Sequence, residues 1–367
     1  MKIKAAVCRE AGALALEEVE LAAPKMGEIL VKMVASGVCH TDAAARNLFI
    51  PAILPMVLGH EGVGVVESVG EGVTELAPGD KVIISFPYCG ECDYCREGHP
   101  YACEDSFHLF FHGKYKDGTT RITGADGTEI GSLFGQGSFA TYAVCDASSA
   151  VKVDVGIEDL KALCSLGCGI QTGAGAVLNR MAPRPGTSIV VFGCGAVGIA
   201  AIMAAKIAGC STIIGVDIVP SRLQLALECG ATHVINGRDF DDVPAEIKRI
   251  CGGKGAHYAL EASGVPALGL QMLDSMRREG LAVIVSVMGD QRMNVLIENQ
   301  IMSPSVTLAG IVEGGSNPKV FIPELVRYYK EGRLPVGKLA KYYKFEDFEQ
   351  AFEDSHNGSV IKPVLVF

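Results

Sequence analysis

The sequence has no excess of positive charge: 32 lysines and arginines stand against 42 aspartates and glutamates, a net charge of −10, and the isoelectric point is near 5.4. Nucleic acids and anionic membrane surfaces both require a basic face, so neither is expected as a partner, and a small-molecule ligand fits better. The sequence also lacks an apolar run long enough to span a bilayer. The longest candidate, Ile189 to Ala205 ("IVVFGCGAVGIAAIMAA"), is split by glycines and falls short of the roughly 20 residues a span needs. It reads as a buried strand, a turn and a helix. The opening stretch "MKIKAAVCREAGALALEEVE" has neither a long apolar segment nor a small-residue cleavage site, so a cytoplasmic location is expected. In that reducing compartment thirteen cysteines, an odd number, do not make a disulfide framework, and clustered ones read as metal ligands. Internal repeats and low-complexity linkers are absent.

What is present is material for two domains with a cleft between them. A chain of 367 residues, 49% hydrophobic and 20% charged, exceeds what one core usually organises. The first 150 residues carry short β-branched runs ("EILVKMVASGV", "GVGVVESVG", "DKVIISFP") separated by turn signals such as "APGDK" and "ADGTE", the texture of an irregular β-rich region. From about residue 186, apolar strands ("TSIVVFG", "STIIGVD", "HYALEAS", "LAVIVSV") alternate with helical stretches ("AVGIAAIMAAKIAG", "SRLQLALECG", "ALGLQMLDSMRREG"). That alternation predicts an α/β doubly wound parallel sheet covered on both faces. The tail after about residue 312 holds one polar helix and one strand, "IKPVLVF"; it is too short to fold alone and should pack on an earlier part.

Gly193, Cys194, Gly195, Ala196, Val197 and Gly198 spell G-x-G-x-x-G between an apolar strand and a helix, and Asp217 closes the next strand 19 residues on. In that context the pattern predicts a dinucleotide site of the Rossmann type, with the pyrophosphate at the helix N-terminus. A carboxylate at Asp217 accepts from the ribose hydroxyls and repels a 2′-phosphate, which favours NAD over NADP. Arg222 is a candidate second contact to the same ribose, an exposed helix arginine being the alternative.

Cys89, Cys92, Cys95 and Cys103 form C-x2-C-x2-C-x7-C, enough soft thiolates to close a tetrahedral structural zinc site with no open position. An iron–sulfur cluster is the competing reading, but the bacterial ferredoxin run has its fourth cysteine after three residues and a proline next. The reactive centre must therefore lie elsewhere. Metal-ligand residue types recur in "GVCHTD" (37–42), "LGHEGVGVV" (58–66) and "SLGCGIQTG" (165–173). Their separations are too long for spacing alone to show that they meet.

Taken together, "GHEGVGVVESVGEGV", "VCHTD", the four-cysteine segment, "GCGIQTG" and the nucleotide fingerprint resemble the zinc-containing medium-chain alcohol dehydrogenases, in that family's order and over essentially the whole chain. The wording "LGCGIQTGAGAVLN" is most similar to the aryl-alcohol (benzyl alcohol) and geraniol dehydrogenases within it. The resemblance implies a GroES-like catalytic domain over 1–169 and 312–367, and a Rossmann domain over 170–311. It implies a catalytic zinc on Cys39, His60 and Cys168, with Glu61 behind the metal, Asp42 orienting the histidine and Thr41 handling the alcohol proton. It places Thr172 and Val197 beside the nicotinamide ring, Val285 to Val287 at its carboxamide, and His40 and Lys362 at the pyrophosphate. The implied reaction is reversible oxidation of a primary alcohol to an aldehyde, in a homodimer or homotetramer.

One departure is visible: a histidine that many members carry five residues after the first zinc ligand is Ala44 here, so the proton is expected to leave from the ribose directly to water. Ser85, Phe86, Phe107, Phe110, Phe111, Leu133 and Phe134 are candidate walls of a flat apolar slot suited to benzylic or allylic alcohols. Aliphatic alcohols or polyols are the alternative substrates, and a zinc-free or purely structural member of the fold is the non-enzymatic alternative. The apolar strand "SVTLAGIV" is a candidate subunit contact.

Overall fold

The computed structural model describes all 367 residues, which form two compact units. The first comprises Met1–Cys168, Asn317–Tyr328 and Val336–Phe367; the second comprises Gly169–Ser316 and Tyr329–Pro335. These limits differ from the sequence-based ones at the return crossing, because Glu313–Ser316 are tied to the second unit. Ser316 Oγ donates to Gln171 Oε1 at 3.0 Å, and Asn179 Nδ2 donates to the Gly314 carbonyl at 3.1 Å. Residues 329–335 also leave the tail for the second unit, where Arg333 reaches the Ile207 carbonyl.

In the first unit, Lys2–Glu10, Ala13–Leu21, Ile122–Thr123, Glu129–Ser132 and Met56–Val57 close a small barrel. Beside it lies a seven-stranded sheet in the order Ala150–Lys152, Lys81–Ile84, Glu61–Val69, Glu28–Gly37, Lys362–Val366 and Ala340–Lys344, with Tyr142–Asp146 also paired to Glu28–Gly37. The expected docking of the tail is explained by Lys362–Val366, which joins this sheet antiparallel to Glu28–Gly37 with Val364 opposite Gly37. Apolar side chains such as Ile29, Val31, Val82 and Ile84 fill one face of it.

The second unit is a six-stranded parallel sheet in the order His233–Asn236, Thr212–Asp217, Ser188–Phe192, Ala256–Glu261, Met276–Ile284 and Thr307–Gly310. Ser188–Phe192 is buried along its whole length, which is why it reads as an uninterrupted apolar run. Strand order reverses between Ser188–Phe192 and Ala256–Glu261, and the carboxyl ends flanking such a reversal are where open α/β sheets bind ligands. The helix read from "ALGLQMLDSMRREG" is shorter than expected, Pro266–Asp274. Ser275 Oγ folds back on the Gln271 carbonyl, and Met276 already pairs with Ala256, so "MRREG" is strand.

Candidate active site and metal centres

The first site is built by strand register. Glu28–Gly37 and Glu61–Val69 pair antiparallel with Gly37 opposite Glu61, so Cys39, just past one strand, lies beside His60, just before the other. Cys39 caps the helix His40–Arg46, and its N–H donates to Asp42 Oδ2 at 2.9 Å. The other oxygen of Asp42 accepts from the Gly59 N–H at 3.0 Å and from His60 Nδ1 at 2.9 Å. With the proton fixed on Nδ1, the lone pair on Nε2 points away from Asp42. That Nε2 is buried and has no hydrogen-bond partner. Cys168 follows the short helix Cys164–Gly167, whose Gly167 carbonyl is held by Ser85 Oγ at 2.8 Å.

Ligand atoms of Cys39, His60, Glu61 and Cys168 all lie within 4.8 Å of one another. A hydrogen bond from the Cys168 thiol holds the Cys39 pKa well below the usual thiol range against the opposing effect of burial. Burial would lower the His60 pKa, but Asp42 and Cys39 outweigh it and raise it well above the ordinary value. A buried imidazole nitrogen without a hydrogen-bond partner is costly in either protonation state. Two thiols and an imidazole with a carboxylate behind them make the soft, three-point donor set that suits zinc with an open position. These residues fit the metal.

Lys362, expected at the pyrophosphate, is paired within the first unit with Glu61. Its side chain is buried, and Nζ donates to Glu61 Oε2 at 2.8 Å and to the Val38 carbonyl at 3.2 Å. The reason is the strand pairing that sets the start of Lys362–Val366 beside the end of Glu28–Gly37. Burial pushes the Glu61 pKa up while the ammonium pulls it down, and the rise persists; burial would lower that of Lys362, but Glu61 raises it. Removing one member of a buried pair leaves the other charge uncompensated. Lys362→Met is therefore expected to destabilise the protein by about 3–5 kcal/mol in denaturant unfolding, and the double variant with Glu61→Gln to recover most of the loss.

The wall beside the ligands is aromatic. The Phe134 ring lies 4.8 Å from that of His60 and stacks on Phe110 at 4.3 Å and 14°, while Phe111 meets Phe134 edge-on at 5.7 Å. Phe134 adopts a left-handed backbone, φ 52° and ψ 33°, a conformation costing about 1–2 kcal/mol for a residue with a Cβ. The neighbouring Gln136 anchors the turn: its Nε2 donates to the His60 carbonyl at 2.9 Å, and its Oε1 accepts from the Gly62 N–H at 3.1 Å. Of the other expected wall residues, Phe86 meets Phe110 edge-on at 6.1 Å, Ser85 and Leu133 are buried as Phe110 and Phe134 are, and Phe107, 53% exposed, meets Phe111 edge-on at 5.3 Å. Thr41 is half-buried with Oγ1 3.9 Å from Cys39 Sγ, and His40 is exposed.

The second unit carries the nucleotide fingerprint. Gly193 turns the chain at φ 92°, and a Cβ on Gly198 would lie 1.8 Å from the Gly193 carbonyl oxygen, so turn and helix touch there. A Cβ on Gly195 would enter open space ahead of the helix Ala196–Ile207, the cradle a pyrophosphate requires. Asp217 is fixed by three backbone donors, Cys194 at 2.8 Å, Ile218 at 2.7 Å and Val219 at 2.9 Å. Arg222, on the helix Pro220–Cys229, has a buried Nε with no hydrogen-bond partner. Thr172 is buried and bonded to Glu313, Val285 donates its N–H to the Glu261 carbonyl at 3.1 Å, and Val287 is exposed. This arrangement fits a dinucleotide.

Residues 25–155 match the alcohol dehydrogenase GroES-like domain and residues 196–327 the zinc-binding dehydrogenase domain. The chain is 39% identical over 366 residues to a geraniol dehydrogenase of Castellaniella defragrans, covering 99% of this chain and 97% of that one. It belongs to the zinc-containing medium-chain alcohol dehydrogenases. Among solved structures, an alcohol dehydrogenase zinc-binding domain protein from Burkholderia ambifaria is similar at 46% identity and a TM-score of 0.96, over 100% of this chain and 99% of that one. The benzyl alcohol dehydrogenase of Acinetobacter calcoaceticus is similar at 42% identity and a TM-score of 0.95, with the same coverage. The expected combination of a GroES-like and a Rossmann domain is thereby established, as is oxidoreductase chemistry for this alcohol dehydrogenase family member.

The second cysteine group of this dehydrogenase, Cys89, Cys92, Cys95 and Cys103, also has its sulfurs within 4.8 Å of one another. Backbone N–H groups of Glu91 and Cys92 point at Cys89 Sγ at 3.4 and 3.3 Å, and that of Cys89 at Cys103 Sγ at 3.3 Å. Burial opposes ionisation of Cys89, yet those donors bring its pKa to about 7, whereas burial and the neighbouring thiols push Cys95 up. Four thiols this close ionise together only around a cation. No helix in the protein is long and apolar enough to cross a membrane.

Sequence reasoning did not find Lys362 as the partner of Glu61, nor Gln136 and the turn at Phe134. A lysine in a terminal apolar strand was a signal of a buried charge. For Gln136 and Phe134 there was no such signal, since their roles come from a backbone turn.

Proposed function

We propose that this chain reversibly oxidises aromatic or allylic primary alcohols to aldehydes with NAD, as a cytoplasmic homo-oligomer holding one catalytic and one structural zinc. The observation that carries the substrate class is the Phe110–Phe134 stack against His60. It offers a planar, apolar surface next to the metal ligands, which suits a conjugated alcohol better than a polyol. The relatives named as geraniol and benzyl alcohol dehydrogenases support the same class.

When bound, zinc on Cys39, His60 and Cys168 would supply Lewis acidity, and NAD would supply the hydride acceptor. The chain's own residues do the rest. Asp42 keeps His60 in the Nδ1–H tautomer, so Nε2 stays available as a donor atom. Thr41 Oγ1, beside Cys39, would act as a relay, accepting a hydrogen bond from the substrate hydroxyl and giving up its own proton as that one transfers. With alanine at 44, no imidazole stands at that position to receive the proton, which would leave to water. Phe110 and Phe134 hold the flat substrate and keep water out. Asp217 and Arg222 receive the adenosine ribose, Gly193 to Gly198 the pyrophosphate, and Thr172, Val197 and Val285 to Val287 the nicotinamide half.

Initial rates of NADH formation on benzyl alcohol, geraniol, ethanol and glycerol test the reading. The expected kcat/KM for benzyl alcohol and geraniol is about 100-fold or more above that for ethanol, since a ring or isoprenoid chain adds several buried carbons to the bound state. Equal values for ethanol and benzyl alcohol would overturn the substrate class, and equal rates with NADP would overturn the cofactor choice.

A further inference from the structure

The Glu261 carboxylate has no exposed surface and no cation beside it in its hydrogen-bond set. It stands at the carboxyl end of Ala256–Glu261, the strand that adjoins Ser188–Phe192 where the sheet order reverses. Oε1 accepts from the Ser263 N–H at 2.8 Å, from the Gly264 N–H at 3.1 Å and from the Ser263 hydroxyl; Oε2 accepts from the Ser286 hydroxyl and, at 3.4 Å, from the Gly264 N–H. One buried charge thus ties the turn after its own strand to the turn after Met276–Ile284.

Both turns belong to the nucleotide crevice. The first packs on the fingerprint, since a Cβ on Gly193 would lie 3.0 Å from the Ser263 nitrogen, and the Ala262 N–H donates to the Phe192 carbonyl at 2.9 Å. The two turns touch each other as well, since a Cβ on Gly264 would lie 3.1 Å from the Val287 oxygen. A buried carboxylate satisfied only by neutral donors is an expensive device where an apolar residue would pack, and it is kept where backbone position matters.

We propose that Glu261 is the positioning residue for the nicotinamide half of the cofactor, holding Ser263, Gly264 and Ser286 in the arrangement that receives the nicotinamide ribose and ring. The assignment rests on the NAD reading above. It acts on the half of the crevice away from Asp217, so adenosine and pyrophosphate binding depend on it far less than nicotinamide binding does. Its negative charge also favours the cationic oxidised ring over the neutral reduced one.

The test compares wild type, Glu261→Gln and Ser286→Ala, all with zinc bound, by calorimetric titration with ADP-ribose, NAD and NADH, alongside thermal unfolding. ADP-ribose carries the adenosine and pyrophosphate but no nicotinamide. Glu261→Gln is expected to weaken NAD about 10-fold or more and NADH less, leaving ADP-ribose within about 2-fold. Ser286→Ala, which keeps the carboxylate and its other donors, is expected to weaken NAD and NADH alike and only a few-fold. Equal losses for ADP-ribose and NAD in Glu261→Gln would make the residue a general structural support and overturn the proposal, as would unchanged NAD binding. Wild type that binds ADP-ribose but gains nothing from the nicotinamide, or binds neither, overturns the cofactor reading and this assignment with it.

Discussion

Cys39→Ala is expected to lower kcat by about 10⁴-fold or more while the chain stays folded and its zinc content falls from about two ions to about one. On the proposed ligand set the side chain removed is one of three protein donors, and the two remaining would not hold a metal against water. The fold survives because the structural bonds nearby run through other atoms. Asp42 still receives the backbone N–H of residue 39 and Nδ1 of His60, and Glu61 keeps its lysine. Without the Lewis acid, an alcohol with an aqueous pKa near 16 stays protonated at neutral pH, and each pKa unit of lost stabilisation is worth about 1.4 kcal/mol. Metal analysis and steady-state rates on the same sample check both halves. Unchanged turnover would exclude this cluster as the reactive centre, and an unchanged zinc content would exclude Cys39 as a ligand.

Cys95→Ser is expected to do the reverse. It should release the other zinc and lower the melting temperature by about 10 °C or more, yet leave turnover at low temperature within several-fold of wild type. The segment from Cys89 to Cys103 has almost nothing else to hold it. Its regular structure is the single turn Asp93–Arg96 and the short 3-10 helix Pro100–Ala102, and within it only Pro100 and Cys103 are buried. With so little apolar surface removed from water, metal binding is the folding energy of that lobe. None of its cysteines belongs to the group around His60. A differential scan with parallel zinc analysis and low-temperature assays distinguishes the outcomes. Loss of turnover at full thermal stability would contradict the division of roles.

How legible all this was depends on the kind of constraint. The parallel sheet was legible because strands buried on both faces, such as Ser188–Phe192, admit only apolar side chains, and the G-x-G-x-x-G turn admits only glycine at two points. The four clustered cysteines were legible because their spacing is local. Cys39, His60 and Cys168 were reached through resemblance alone. Their meeting depends on a strand register with Gly37 opposite Glu61, and on a loop that returns at Cys168. Register is a property of pairing that no window of sequence contains. The pairing of Lys362 with Glu61 was not legible for the same reason, the lysine's surroundings being set by the strand Glu28–Gly37. The helix end at Ser275 was missed because a side-chain bond to the Gln271 carbonyl, together with pairing of Met276, overrides the helical composition of "MRREG".

The salt bridge between Glu61 and Lys362 joins groups 301 residues apart in the chain. On a ribosome adding about 5–20 residues per second, that separation amounts to roughly 15–60 s. Through that interval the nascent protein holds Cys39, His60 and Glu61 with neither the countercharge nor the strand that seals them, while the residues of the second unit are synthesised. The cluster of Cys39, His60, Glu61 and Cys168 is therefore completed only when the tail arrives. Its thiols are open to cellular zinc, and to oxidants, for as long as synthesis takes.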